Sequence, residues 1–250
     1  MTSTRIGVIL AGGEGSRLRP LTYYFQKCMV PVGPKQKPLL EYVILNMKKA
    51  QLNDIIILVG YKAEQIINYF GEGGRHGVTI RYVYDIPELR GTGGSLLNLY
   101  RGGYLKGKDT VLIHYGDILS NINLVELIER HEEGNADATI ALSRKYELPV
   151  GVAEVVDDRV VSFIEKPSID LYVSIGILVM NSKIIAELDR LALEKNNLDI
   201  MSDFIPYLIK TGKLVKPYLI DAFWYDVGST EKYEKLTNEL VQRYLAELED

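Results

Sequence analysis

The first half of the chain repeats one pattern: a short apolar run, a turn, then apolar residues returning at helical spacing. Residues 6–10, 55–59, 78–84 and 111–114 are runs of strand length, whereas 39–47, 63–70 and 94–100 carry the period of a helix with one buried face. Strands joined by helical crossovers lie parallel, because only a connection of that length returns the chain to the same end of a sheet. The expected fold is therefore α/β, a single Rossmann-like domain with a mixed, mainly parallel central sheet flanked by helices. The antiparallel part belongs to the less regular second half. There the pattern predicts a hairpin over 152–164 turning at Asp157-Asp158, strands over 172–180, 215–220 and 223–227, helices over 182–193 and near 203–209, and a closing helix from Thr230 to about 248.

At 250 residues, 47% of them hydrophobic, the chain can bury a full core. Its 29 Lys and Arg against 33 Asp and Glu leave a formal charge of −4, so no chain-wide positive field exists to draw nucleic acid. A phosphorylated small molecule needs only a local cluster of donors and stays open. The single cysteine, Cys28, excludes an internal disulfide framework and a cysteine-rich zinc site. No apolar run approaches membrane-spanning length, and residues 6–10 are too few for a signal-peptide core, so a cytoplasmic protein without a membrane partner is expected.

Directly after the first expected strand stands Gly12-Gly13-Glu14-Gly15-Ser16-Arg17-Leu18-Arg19-Pro20-Leu21-Thr22. Glycines here free backbone N–H groups to surround an anion, and the arginines add charge. A dinucleotide fingerprint would need glycine where Leu18 stands and an acid where the next strand ends at Gly60-Tyr61, and a Walker loop would need Gly-Lys-Ser/Thr. Glycine spacing alone is equally compatible with a tight strand-to-helix turn.

Lys27 and Val30-Pro31-Val32 follow the glycine segment, and Lys37-Pro38-Leu39-Leu40-Glu41, Gly91-Thr92-Gly93-Gly94-Ser95-Leu96, Gly116-Asp117, Glu165-Lys166-Pro167 and Asp226-Val227-Gly228 continue the series. Taken in order, these residues resemble the signature of the sugar-nucleotide pyrophosphorylases, or sugar-1-phosphate nucleotidyltransferases, over roughly residues 6–230. The resemblance implies one nucleotidyltransferase domain, with a nucleotide-binding part near 1–120, a sugar-binding part near 121–230, and no appended β-helix. It implies attack of a sugar 1-phosphate oxygen on the α-phosphorus of a nucleoside triphosphate, with release of pyrophosphate. Catalysis of that kind comes from positioning and electrostatics, so it calls for backbone donors, cations on the phosphates and carboxylates for a metal.

Carried over position by position, the resemblance makes Arg17 and Lys27 the catalytic cations. It puts the nucleotide against Leu10, Ala11, Gly12, Gly13, Gly15, Ser16 and Arg17, and against Gly91, Thr92, Gly93 and Gly116. Gly151, Glu165, Lys166 and Ser174 would meet the sugar phosphate, and Asp117 and Asp226 would hold Mg²⁺. Cys28 stands where the family has proline; it reads as a small buried side chain more readily than as a nucleophile. A catalytically inactive scaffolding homologue and a dinucleotide-dependent oxidoreductase are the competing functions. The base (dTTP, UTP or GTP), the sugar (glucose or mannose 1-phosphate favoured) and the oligomeric state, a homo-oligomer included, stay open.

Overall fold

A computed structural model describes residues 4–148 and 150–248. The first half runs β1 (Arg5–Ala11), a small hairpin of β2 (Pro31–Val32) and β3 (Lys37–Pro38), α1 (Leu39–Lys49), β4 (Asp54–Val59), α2 (Ala63–Phe70), β5 (Thr79–Tyr84), α3 (Gly91–Arg101) and β6 (Thr110–Tyr115). The second half adds β7 (Ile118–Ser120), α4 (Leu124–Glu133), β8 (Ala138–Glu147), β9 (Val152–Val156), β10 (Arg159–Ile164), β11 (Ser168–Asn181), α5 (Leu188–Leu191), α6 (Ile205–Lys210), β12 (Val215–Ile220), β13 (Trp224–Asp226), α7 (Thr230–Lys235) and α8 (Asn238–Leu245).

Seven strands form one sheet in the order β12-β8-β11-β6-β1-β4-β5. β1 lies parallel to both β4 and β6, β5 adds in parallel to β4, and β12 is parallel to β8. Only β11 runs against its neighbours, β6 and β8. The sheet is thus mixed and mainly parallel, as expected. Its central strands are buried on both faces, which explains why they read as unbroken apolar runs rather than alternating ones. Ile9, Ile55 and Ile57 pack beneath α1, α2 and α4, while Val8, Ile56 and Leu58 pack beneath α3 and α6.

Several segments depart from the expectation: β11 begins at Ser168 rather than at 172, and α4 and β8 have no counterpart in it. Residues 182–193 begin as a 3₁₀ turn, Ser182–Glu187, before the short α5. Ser182 is tied to the loop ahead of β6, its N–H donating to the Asp109 carbonyl and its hydroxyl to the Lys108 carbonyl, and that anchor tightens the turn. The closing helix breaks at Leu236, a core residue, and restarts at α8, where the Thr237 hydroxyl accepts the Leu240 N–H as an N-cap. α3 starts at Gly91 rather than Gly94, for a reason that belongs to the cleft. No helix among the described residues is long and apolar enough to cross a membrane.

Candidate active site

The chain leaves β1 toward β4 and β5 on one side and returns to β6 on the other, so the loops after β1 and β6 diverge at their carboxyl ends. Open α/β sheets bind ligands in such a crevice. Here it is a cleft of about 640 Å³ lined by every residue from Leu10 to Arg17, by Lys27 and Asp117, and by Gly91 and Thr92 at the head of α3. A shallower depression of about 710 Å³ lies at the opposite end of the sheet, around Asn53, Arg81 and Lys108, and contains none of the candidate residues.

Residues 16–18 make a single 3₁₀ turn, which leaves Arg17 exposed at the cleft wall and buries Leu18. Lys27 stands against the same loop, its Cβ 3.0 Å from where a Cβ on Gly15 would sit, and it too lines the cleft. Its position is set by Gln26, which is fully buried: the side-chain amide donates to the Ala11 carbonyl at 2.7 Å and accepts the Cys28 N–H at 2.6 Å. The Gln26 N–H in turn donates to Gln65 on α2 at 2.7 Å. The Lys27 ammonium then meets the Asp117 carboxylate, and the two side chains are only 12% and 21% exposed. Cys28 points away into the core, where burial pushes its thiol up to about 12, with the nearby Asp117 charge adding to the effect. His114, also buried, is pushed down to about 4 by desolvation. Burial therefore favours the neutral thiol of Cys28, the form that is a poor nucleophile.

Asp117 and Asp226, far apart in sequence, are neighbours. β13 pairs antiparallel with β7 so that Asp226 lies opposite Ile118, and the Val227 N–H donates to the Asp117 carbonyl at 3.1 Å. The Asp226 carboxylate accepts from Lys232 at 2.6 Å and lies over Gly228, which lines the cleft and where a Cβ would sit 2.8 Å from a carboxylate oxygen. The donors are all oxygen, two carboxylates that already attract cations, beside an open cradle. That fits a magnesium ion completing its shell with phosphate oxygens and water. Among the described residues no group of three or more His, Cys, Asp or Glu side chains gathers.

The third wall is the start of α3. Gly91 has φ +76°, and a Cβ there would stand 2.3 Å from the Leu198 carbonyl, so the helix can begin this close to the 196–200 loop only with glycine. Gly93 and Gly94 donate their N–H groups to that same carbonyl, which occupies them within the protein. Gly93 does not line the cleft, and neither does Gly116, which packs against Cys28 and Leu10. The Thr92 hydroxyl donates to Asp199 at 2.8 Å and accepts from the Ile200 N–H at 2.9 Å. Behind it, Ser95 donates to Asp85, whose carboxyl is raised above the ordinary carboxylate range by burial.

The expected sugar-side residues lie apart from these. β9 and β10 form a separate, exposed two-stranded ribbon. Gly151 precedes it and Glu165 and Lys166 follow it, with Glu165 close enough that a Cβ on Gly151 would stand 2.8 Å from its carboxylate. Ser174 is exposed on β11, and none of the four lines the cleft. Lys166 does come near α7: Glu231 there is held below the usual carboxylate range by Lys235 first and by Lys166 and Lys232 besides. Sequence reasoning did not single out Gln26, Asp85, Tyr115 or Asp199. Their spacing is unremarkable, and only the fold brings Gln26, Asp85 and Tyr115 to the cleft and Asp199 to the Thr92 hydroxyl.

The nucleotidyl transferase family model matches residues 6–243. The chain belongs to that family. It is 33% identical over 236 residues to the low-salt glycan biosynthesis nucleotidyltransferase Agl11 of Haloferax volcanii, covering 90% of this chain and 63% of that one. It is 32% identical over 240 residues to the D-glycero-alpha-D-manno-heptose 1-phosphate guanylyltransferase of Aneurinibacillus thermoaerophilus, covering 95% and 99%. The chain therefore spans less than two thirds of the haloarchaeal relative's length but nearly all of the bacterial one's. A Bacillus anthracis protein crystallised with sucrose shares the fold, with a TM-score of 0.78, 24% identity and 96% of each chain covered.

Proposed function

We propose that this nucleotidyl transferase couples a nucleoside triphosphate to a hexose 1-phosphate, forming a nucleoside-diphosphate sugar and pyrophosphate. One observation carries the reading: the glycine loop, Arg17, Lys27 and Asp117 line a single cleft at the carboxyl ends of parallel strands. In this reading residues up to about 120 bind the nucleotide, 121–230 the sugar, and the enzyme works in the cytoplasm.

The backbone of residues 12–16 holds the triphosphate, and Arg17 neutralises the departing β- and γ-phosphates. Lys27 exchanges its contact with Asp117 for the α-phosphoryl oxygens, where charge is redistributed in the transition state. Asp117 and Asp226 would hold Mg²⁺, which supplies Lewis-acid polarisation of the phosphates when bound. Glu165 and Lys166, with Gly151 and Ser174, receive the sugar phosphate from the ribbon side, and Lys166 provides the cation there. Because the protein contributes position and charge rather than a covalent intermediate, no nucleophilic side chain is needed. dTTP, UTP and GTP are the candidate triphosphates, with glucose or mannose 1-phosphate as acceptor. A pyrophosphate-release assay over that matrix, with Mg²⁺ and with chelator, tests the reading; release independent of the sugar phosphate would overturn it.

A further inference from the structure

Asp85 follows the edge strand β5, three strand positions from β6, whose carboxyl end leads to Asp117. Strands lie about 4.8 Å apart, so the two carboxylates mark ends of the cleft roughly 14 Å from each other. Their surroundings differ. Asp117 and Asp226 are each paired with a lysine, whereas the Asp85 carboxylate is joined by one hydroxyl, Ser95, donating at 2.6 Å to Oδ1, and no cation among the described residues faces it. Its Oδ2 lies against Gly12, where a Cβ would stand 1.8 Å away, so the glycine loop itself makes room for this acid. Leu58, Ile86 and Leu89 bring apolar surface to the same end. Burial without a cation costs free energy, and a ligand's hydrogen-bond donors can recover it.

Which donors these are follows from chemistry. An ionised carboxylate repels phosphate, so Asp85 faces the nucleoside. The ribose is bonded to the α-phosphate and stays near the Lys27–Asp117 end, while the far edge of the base reaches the β5 end. A carboxylate is acceptor-only, with capacity left on both oxygens beyond the Ser95 bond. Guanine offers two adjacent donors, N1–H and the 2-amino group. Uracil and thymine offer one N–H between two carbonyl oxygens, and adenine and cytosine set a ring-nitrogen lone pair beside their amino group. We infer that Asp85 is the base-reading residue of this cleft and that its two carboxylate oxygens select guanine, making GTP the triphosphate substrate. This assignment rests on the nucleotidyl-transfer reading and deepens it.

The test compares GTP, ITP, UTP, dTTP and ATP, both by equilibrium binding and by pyrophosphate release with mannose 1-phosphate and with glucose 1-phosphate. GTP should be preferred, and ITP, which lacks only the 2-amino group, should fall about 10- to 100-fold, the usual loss for one hydrogen bond to a charged group. Asp85→Asn, which sets a donor beside an acceptor, should lower use of GTP by about 100-fold or more and erase the GTP-over-ITP preference while improving UTP relative to GTP. Circular dichroism and melting establish that the variant is folded, and Ser95→Ala should weaken the same preference in part. Wild-type protein that binds GTP and ITP equally, or prefers UTP, dTTP or ATP, would overturn the assignment. So would an Asp85→Asn variant weakened equally toward all five, which would mark a ribose contact. Binding that discriminates guanine without pyrophosphate release from any pairing would uphold the base assignment and overturn the transfer reading instead.

Discussion

Arg17 and Lys27 both line the cleft, and their environments differ in a way that activity measurements can separate. Arg17 is exposed; Lys27 is held against Asp117 with little solvent access. Removing a preorganised donor to a developing charge typically lowers turnover about 10²- to 10³-fold. Arg17→Ala and Lys27→Ala should each do so in pyrophosphate release with the melting temperature of the Arg17 variant unchanged. Asp85 makes a prediction of the opposite kind. Burial raises its folded-state carboxyl above the unfolded value, so the folded chain holds that proton more tightly and loses stability as pH rises from the ordinary aspartate value through the raised one. Asp85→Asn removes that cost. The variant should melt at or above the parent temperature at pH 7, and the difference should close as pH falls below both values, which thermal scans at a series of pH values would read. The three residues are legible to different degrees: Arg17 and Lys27 stand in a recognisable order, whereas nothing in Tyr84-Asp85-Ile86 announces a ligand.

At the scale of elements, Gln26 does the work that a strand or helix does elsewhere. It joins the end of β1, the Lys27 turn and α2, and it is buried with every one of those bonds inside the protein. Gln26→Ala would strand the Ala11 carbonyl and the Cys28 N–H, at about 1–3 kcal/mol each. Urea unfolding should therefore show a loss of about 2–6 kcal/mol. Turnover should fall further than the stability loss alone requires, because Lys27 loses its placement. The sequence pattern places α2 and β12 at their observed bounds, since each has a clear period and punctuated ends. It does not place the 3₁₀ start at Ser182 or the early start of α3, because both depend on carbonyls from distant loops, those of Lys108, Asp109 and Leu198.

For the whole molecule, the arrangement separates fold from catalysis. Asp117 and Asp226 are already neutralised by Lys27 and Lys232, so the folded chain does not need a metal to relieve their charge. Chelation should abolish pyrophosphate release while shifting the melting temperature of the ligand-free protein little; a large fall in melting temperature would make the metal structural. The amino-acid sequence determined the class of sheet, the glycine loop after its first strand and the cations beside it, because period, turn chemistry and motif order are local properties that survive without tertiary contacts. Tertiary structure alone decided that Asp226 would lie beside Asp117, that the ribbon carrying Glu165 and Lys166 would stand outside the cleft, and that Asp85 would close its far end. Those relations depend on which strands pair and which loops meet, and pairing is settled by the packing of the entire core rather than by any segment within it.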